Sequence, residues 1–188
     1  MSSVTCHISI SLDGFVAGPE QSLEDPIGRG GMRLHEWAFA TASWREQQGR
    51  AGGERGADSA VVEEVVEGVG AYVMGRNMFG GGGGSWDESW SGWWGESPPF
   101  HAPVFVLTHH AREPLSMQGG TTFTFVTDDI ESALDQAMRA AGGKDVVLAG
   151  GASTAQQYLA ARLIDEVNIA LVPLLLGGVT HLKHRVVK

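Results

Sequence analysis

The segment Val146-Val147-Leu148-Ala149-Gly150-Gly151-Ala152-Ser153-Thr154 limits most tightly what this chain can fold into. An apolar strand runs into two glycines and then into small and hydroxyl residues that open a helix. A strand passed straight to a helix is the repeating unit of α/β proteins. Its turn lies at the carboxyl edge of the sheet, where such folds bind ligands. Glycines there let backbone approach a ligand closely. The free N–H groups and positive dipole end of the following helix suit a pyrophosphate, and Ser153 and Thr154 add hydroxyl donors. A plain strand-to-helix turn has the same local pattern. The segment matches neither GxGxxG nor GxxxxGK[ST], so it supports neither a standard dinucleotide fingerprint nor a P-loop.

Two further strand ends carry similar groups. Tyr72-Val73-Met74-Gly75-Arg76-Asn77 ends an apolar strand in a glycine and a guanidinium, whose planar fork suits phosphate. Val104-Phe105-Val106-Leu107-Thr108-His109-His110 ends in hydroxyl and imidazole donors. Adjacent histidines on an extended chain point to opposite faces, so His109 and His110 do not suggest one metal ion, and no metal is expected. In a parallel sheet these three ends line up along one edge and together outline a phosphate-rich nucleotide cofactor.

The remaining pattern alternates strands and helices. Strands are expected at Val4–Ile10, Ala71–Met74, Val104–Leu107, Thr122–Val126, Val146–Leu148, Val167–Val172 and Thr180–Val187. Helical spacing over Leu34–Gln48, Asp58–Glu67 and Ala155–Ala161 predicts helices. Asp128–Ala141 is a further helix, with Asp128 and Glu131 approximating a capping box. Gln21–Gly31 and Gly49–Gly56 read as loops, and the glycine run Gly80–Gly84 cannot hold regular structure. The expected fold is a single three-layer α/β/α domain over residues 1–188, with a mostly parallel mixed central sheet.

Composition narrows the function. The 13 Lys+Arg stand against 22 Asp+Glu, a net charge of −9 with no basic cluster, so nucleic acid and anionic membranes are poor partners. Cys6 is the only cysteine, which excludes an internal disulfide. No signal peptide or membrane span is read, and a cytoplasmic location is expected. All six tryptophans fall between Trp37 and Trp94. Such a segment either covers core or a dimer interface, or forms an aromatic wall over a flat substrate.

With these pieces in order, the chain resembles the dihydrofolate-reductase-like family, in the branch of the C-terminal reductase domain of riboflavin-biosynthesis proteins. The resemblance rests on Ser11-Leu12-Asp13-Gly14-Phe15-Val16-Ala17, Val73-Met74-Gly75-Arg76, Pro103-Val104-Phe105-Val106-Leu107-Thr108, Leu148-Ala149-Gly150-Gly151-Ala152, and Leu163-Ile164-Asp165-Glu166 running to Pro173-Leu174-Leu175-Leu176-Gly177. It implies NADPH as hydride donor, a small flat heterocycle (pterin- or pyrimidine-like) as acceptor, and often a homodimer. Carried over by position, Gly75, Arg76 and Asn77 are expected at the adenosine and phosphate end. Leu107, Thr108 and His109 join Arg76 around the 2′-phosphate. Gly150, Gly151, Ala152, Ser153 and Thr154 cradle the pyrophosphate, and Ser9 and Val16 flank the nicotinamide.

Folate reductases hold the pterin through an acidic residue on the first helix. Here that region reads Met32-Arg33-Leu34-His35-Glu36-Trp37, without an unambiguous counterpart. Proton-donor candidates are therefore Asp13, near the expected nicotinamide end, then Glu36 and His35. Asp13-Gly14 is also a turn dipeptide, in which the aspartate would only cap backbone N–H groups. The reading favoured is an NADPH-dependent reductase. The alternative is an NADP-binding sensor or interaction protein on the same fold, without turnover.

Overall fold

The computed structural model describes residues 2–177. The strand expected at Thr180–Val187, with His181 and His184, lies outside them.

Among the described residues seven strands form one sheet: β1 (Val4–Ser11), β2 (Val69–Gly75), β3 (Pro103–Leu107), β4 (Leu115–Ser116), β5 (Thr122–Val126), β6 (Asp145–Gly150) and β7 (Glu166–Val172). Their order is β4-β5-β3-β2-β6-β1-β7. Every neighbouring pair is parallel except β4–β5. Six helices accompany them: α1 (Glu36–Phe39), α2 (Ala42–Gln47), α3 (Ala57–Val66), α4 (Arg76–Phe79), α5 (Ile130–Ala141) and α6 (Ala152–Ala160). The expected α/β architecture with a mostly parallel mixed sheet is what the chain adopts.

The two faces of the sheet are covered differently. On one face α5 and α6 bury Ala133, Leu134, Ala137, Ala155 and Tyr158 against Val4, Cys6, Ala71, Val73, Val146 and Leu148. On the other, α4 and the tryptophan segment pack Phe79, Trp86, Trp90, Trp94 and Phe100 on Val104, Val106 and Phe123. Phe79 lies at the centre of this second core, with edge-on ring contacts to Phe123 (5.0 Å), Phe125 (5.2 Å) and Trp86 (5.7 Å). Trp86, Trp90 and Trp94 thus form a hydrophobic layer where a helix would otherwise stand, which favours the core-covering reading for this part of the tryptophan-bearing segment. The glycine run serves this layer. A Cβ on Gly80 would sit 2.5 Å from the Trp93 ring, and Gly80 itself has φ +85°, so only glycine fits there.

Several elements depart from expectation for local reasons. The helix expected at Leu34–Gln48 is broken into a 3-10 turn at Gly31–Leu34 and then α1 and α2. Thr41 is the break. Its backbone is extended, its hydroxyl donates to Ala38 O (2.7 Å) and accepts from Trp44 N (3.2 Å), so it ends one helix and caps the next. The cap of α5 is Asp129, which accepts from Ser132 N at 2.8 Å, one residue after the aspartate expected. The helix expected from Asp58 begins at Ala57 after Gly56, which gives no side-chain cap, and Ser59 within it is buried against Ser43, their hydroxyls 2.8 Å apart. The helix after the glycine pair begins at Ala152, not Ala155, directly off β6. Neither the short α4 nor the two-residue β4 was expected; both are too brief to carry a periodic signal.

Candidate functional site

In the sheet order, β3, β2 and β6 are neighbours, so the three polar strand ends stand side by side at one edge. Gly75 closes β2, and its missing side chain is required. A Cβ there would lie 2.3 Å from Thr154 Oγ1, so β2 and the first turn of α6 touch through this glycine. Thr154 is buried by that contact. Gly150 has φ +132°, and the Gly150–Gly151 peptide is cis. Gly151 is the N-cap of α6 and supplies no side-chain cap. A Cβ on Gly151 would meet no atom within 4 Å, so open space lies against the uncapped helix end. Ala152 is half-buried and Ser153 exposed there.

Arg76 follows Gly75 and is held in place on several sides. Its Nη1 donates to Thr108 Oγ1 (3.2 Å) and its Nη2 to Gly84 O (3.1 Å). Its guanidinium carbon stands 3.2 Å from the Trp86 ring centroid. Burial, and then the charge of Arg112, push its pKa down, without making it neutral in any ordinary range. Arg112 also lies over Trp86 (5.1 Å), with its side chain 2% exposed and bonded through Nη2 to Glu88 O at 2.9 Å. Nε of Arg76 and Nη1 of Arg112 are buried without a hydrogen-bond partner, and Nε of Arg112 makes only an ion pair, 3.5 Å from Glu88 Oε2. Two cations so placed beside a buried Thr108 favour an anion at this end of the sheet.

The structure thus brings together Gly75, Arg76, Leu107, Thr108, Gly150, Gly151, Ala152, Ser153 and Thr154. Asn77 and His109 flank this edge as exposed side chains with no described polar contact. Arg112 and Trp86 were missed, because their link to Arg76 is made only by the folded loop. A cation four residues after Thr108 was the one available signal.

The other end of the candidate site is built on β1. Ser9 is buried and accepts from Trp37 Nε1 at 3.1 Å, which ties α1 to the sheet. Val16 is half-buried in the loop after β1. Asp13 does not face a ligand as a free acid. Its carboxylate accepts from Gly177 N (2.8 Å) and Leu176 N (3.2 Å), pinning the segment after β7 to the loop after β1. The Ser11 hydroxyl, and then these backbone donors, hold its pKa below the usual carboxylate range against the opposing effect of burial. These contacts suit the turn-cap reading of Asp13, whose carboxylate anchors the segment after β7. Glu36 is exposed at the start of α1. His35 is half-buried beside Phe39, and burial lowers its pKa below the ordinary imidazole value.

The chain matches the family described as the RibD C-terminal domain over residues 2–184. A solved structure from Shewanella sp. PV-4, whose name places it in riboflavin biosynthesis, superimposes with a TM-score of 0.55 at 23% identity, covering 94% of this chain and 80% of that one. It shows the same dihydrofolate-reductase-like fold. No curated protein matches the chain. Among the described residues no helix is long and apolar enough to cross a membrane. The carboxyl edge with its uncapped α6 and glycine-lined opening fits the nicotinamide cofactor that such reductases generally use. The match over nearly the whole length, on this fold, makes the chain a member of the RibD C-terminal domain family, with the reductase role of that family.

Proposed function

We propose that the protein is an NADPH-dependent reductase that delivers hydride to a small flat heterocycle of the pterin or pyrimidine kind. The observation that carries this reading is the adjacency of the β2, β3 and β6 ends, with the Gly75–Thr154 contact joining two of them. NADPH supplies the hydride when bound. The first-turn N–H groups of α6, from Gly151 to Ser153, hold the pyrophosphate, and the hydroxyl of Ser153 lies exposed beside them. Arg76 and Thr108, backed by Arg112, hold the 2′-phosphate, which selects NADPH over NADH. Asn77 lines the adenosine side, and His109 and Leu107 lie beside Thr108 around the 2′-phosphate. Ser9 and Val16 flank the nicotinamide.

Asp13 positions the loop after β1 against residues 174–177 and stays ionised. His35 and Glu36 are the two remaining proton-donor candidates, and neither has a described side-chain hydrogen bond. The lowered pKa of His35 leaves it mostly neutral at pH 7. If His35 gives the proton, turnover falls as pH rises through that lowered pKa, and His35→Gln removes this limb.

A homodimer is supported by a second observation. Val167, Ile169 and Leu171 on β7, the outermost strand at that side among the described residues, are exposed, and they pair in register with Cys6, Ile8 and Ile10 of β1. They form an uncharged apolar stripe on a chain of net charge −9, where two copies can meet without like-charge contact.

The test is a tryptophan-fluorescence titration with NADPH and NADH. Saturable binding that prefers NADPH is expected. Arg76→Ala should weaken NADPH by about tenfold or more, the loss of a charge-assisted phosphate contact, while NADH binding changes little. Absence of binding to either dinucleotide would overturn the reading.

A further inference from the structure

A second candidate site lies away from the strand ends, at the close of α2. It is a cavity of about 440 Å³ lined by Phe39, Trp44, Arg45, Gln48 and Arg50. The volume falls within the range typical of small-molecule sites.

Local sequence explains how the wall is built. Gly49 takes φ +65° after α2, its N–H donates to Glu46 O (3.0 Å), and Arg50 N donates to Arg45 O (2.8 Å). This pair of bonds is a Schellman closure, which folds the chain back over the last turn of the helix. It brings Arg50 beside Arg45. The nearby carboxylate of Glu46 is taken by Arg55, so it does not neutralise them. Among the described residues, neither Arg45 nor Arg50 has a carboxylate within salt-bridge distance. The Gln48 amide nitrogen is buried and finds no acceptor. On the apolar side, the Phe39 and Trp44 rings stand 5.1 Å apart at 44°.

Three features converge on one ligand chemistry. Two unpaired guanidiniums call for an anion, all the more in a protein of net charge −9. An orphaned buried amide donor calls for an oxygen acceptor. A tilted aromatic pair calls for a flat apolar ring. We propose that this cavity binds a planar aromatic anion, its ring against Phe39 and Trp44 and its carboxylate or phosphate held by Arg45, Arg50 and the Gln48 amide. None of these residues lies at the strand ends that would hold the cofactor, although Phe39 stands 6.0 Å from the His35 ring.

Calorimetric titration of the full chain with phenyl phosphate, benzoate, inorganic phosphate and phenol tests it. Phenyl phosphate or benzoate should bind saturably, and the tighter of the two identifies the anion. Inorganic phosphate lacks the ring and phenol lacks the charge, so each should bind at least about tenfold more weakly. Arg45→Ala and Arg50→Ala should each weaken the anion by about tenfold, with unchanged thermal unfolding because both side chains are exposed. Gln48→Leu should weaken it less, as a single neutral donor is lost. Three results would overturn the proposal: flat titrations with both aromatic anions, binding unaffected in the double arginine variant, or inorganic phosphate binding as well as phenyl phosphate.

Discussion

Replacing Gly75 by alanine puts the strand-end geometry under direct test. Gly75 has φ −83° and ψ 157°, a conformation open to any residue, so the backbone sets no penalty. The obstacle is steric and has one source. The new Cβ would stand 2.3 Å from Thr154 Oγ1, and the next nearest atom, Thr154 Cβ, is already at an ordinary 3.6 Å. Thr154 is buried, so its hydroxyl cannot swing into solvent. Overpacking of this kind costs about 1–3 kcal/mol. The loss of glycine freedom in the unfolded chain returns about 0.4–1 kcal/mol. Gly75→Ala should therefore destabilise by about 1–2 kcal/mol net, a fall in melting temperature of roughly 2–4 °C per kcal/mol for a chain of this size. Thr154→Ala alone removes a buried side chain and should also destabilise. Together they should not add, because Thr154→Ala removes the oxygen that Gly75→Ala collides with. The double variant should be more stable than the sum of the two losses by about 1–2 kcal/mol, well above the roughly 0.3–0.5 kcal/mol scatter of independent sites. Urea unfolding of the four proteins measures this cycle. Additive losses would refute the idea that β2 and α6 meet through this glycine. NADPH binding of the double variant against Gly75→Ala then shows whether the same contact sets the cofactor edge.

Other perturbations probe the rest of the molecule. Asp13 has its pKa lowered by Ser11, Gly177 and Leu176, so its contribution is full above the ordinary carboxylate pKa and is lost as pH falls through the depressed value. The urea midpoint of Asp13→Asn should thus lie below that of the parent at neutral pH, with the gap closing in acid; a pH-independent gap would exclude the carboxylate as its source. Phe79→Ala removes the ring at the centre of the tryptophan-side core and should cost about 3–5 kcal/mol by chemical denaturation. Ile169→Asp with Leu171→Asp charges the apolar stripe on β7. Sedimentation should show a monomer in place of a dimer, whereas an unchanged mass would move the interface elsewhere.

How much of this was legible in the sequence follows from the range of the interactions. The strand ends at Gly75, Leu107 and Gly150 were readable, because an apolar run stopped by glycine or by a hydroxyl residue is a local signal. The sheet order was not, since it depends on which parallel neighbours bury one another. The break in the first helical region was hidden for a different reason. Thr41 fits helical spacing, but its hydroxyl competes with the backbone, and no hydrophobic periodicity records that competition. Asp13 shows the same limit at the site. Its residue type fits both a proton donor and a turn cap, and its contacts with residues 176–177, made only in the folded chain, leave no local signal.

The tryptophan segment carries the argument furthest. Trp86 is separated from Arg76 by the five-glycine run and from Arg112 by a whole strand, yet both guanidiniums lie over its ring. Its indole N–H donates to His110 O at 2.8 Å, which fixes the ring beneath the end of β3. The same ring packs edge-on against Phe79 and Phe125 in the core. One side chain therefore belongs at once to the hydrophobic layer and to the floor under the candidate phosphate site. A substitution such as Trp86→Leu should keep much of the apolar burial while removing both cation contacts. Arg76 and Arg112 would then repel each other with nothing between them, and phosphate affinity should fall before stability does. The glycines that let the chain reach this position look like low complexity in one dimension. In the folded chain they put an aromatic ring within reach of two strand ends.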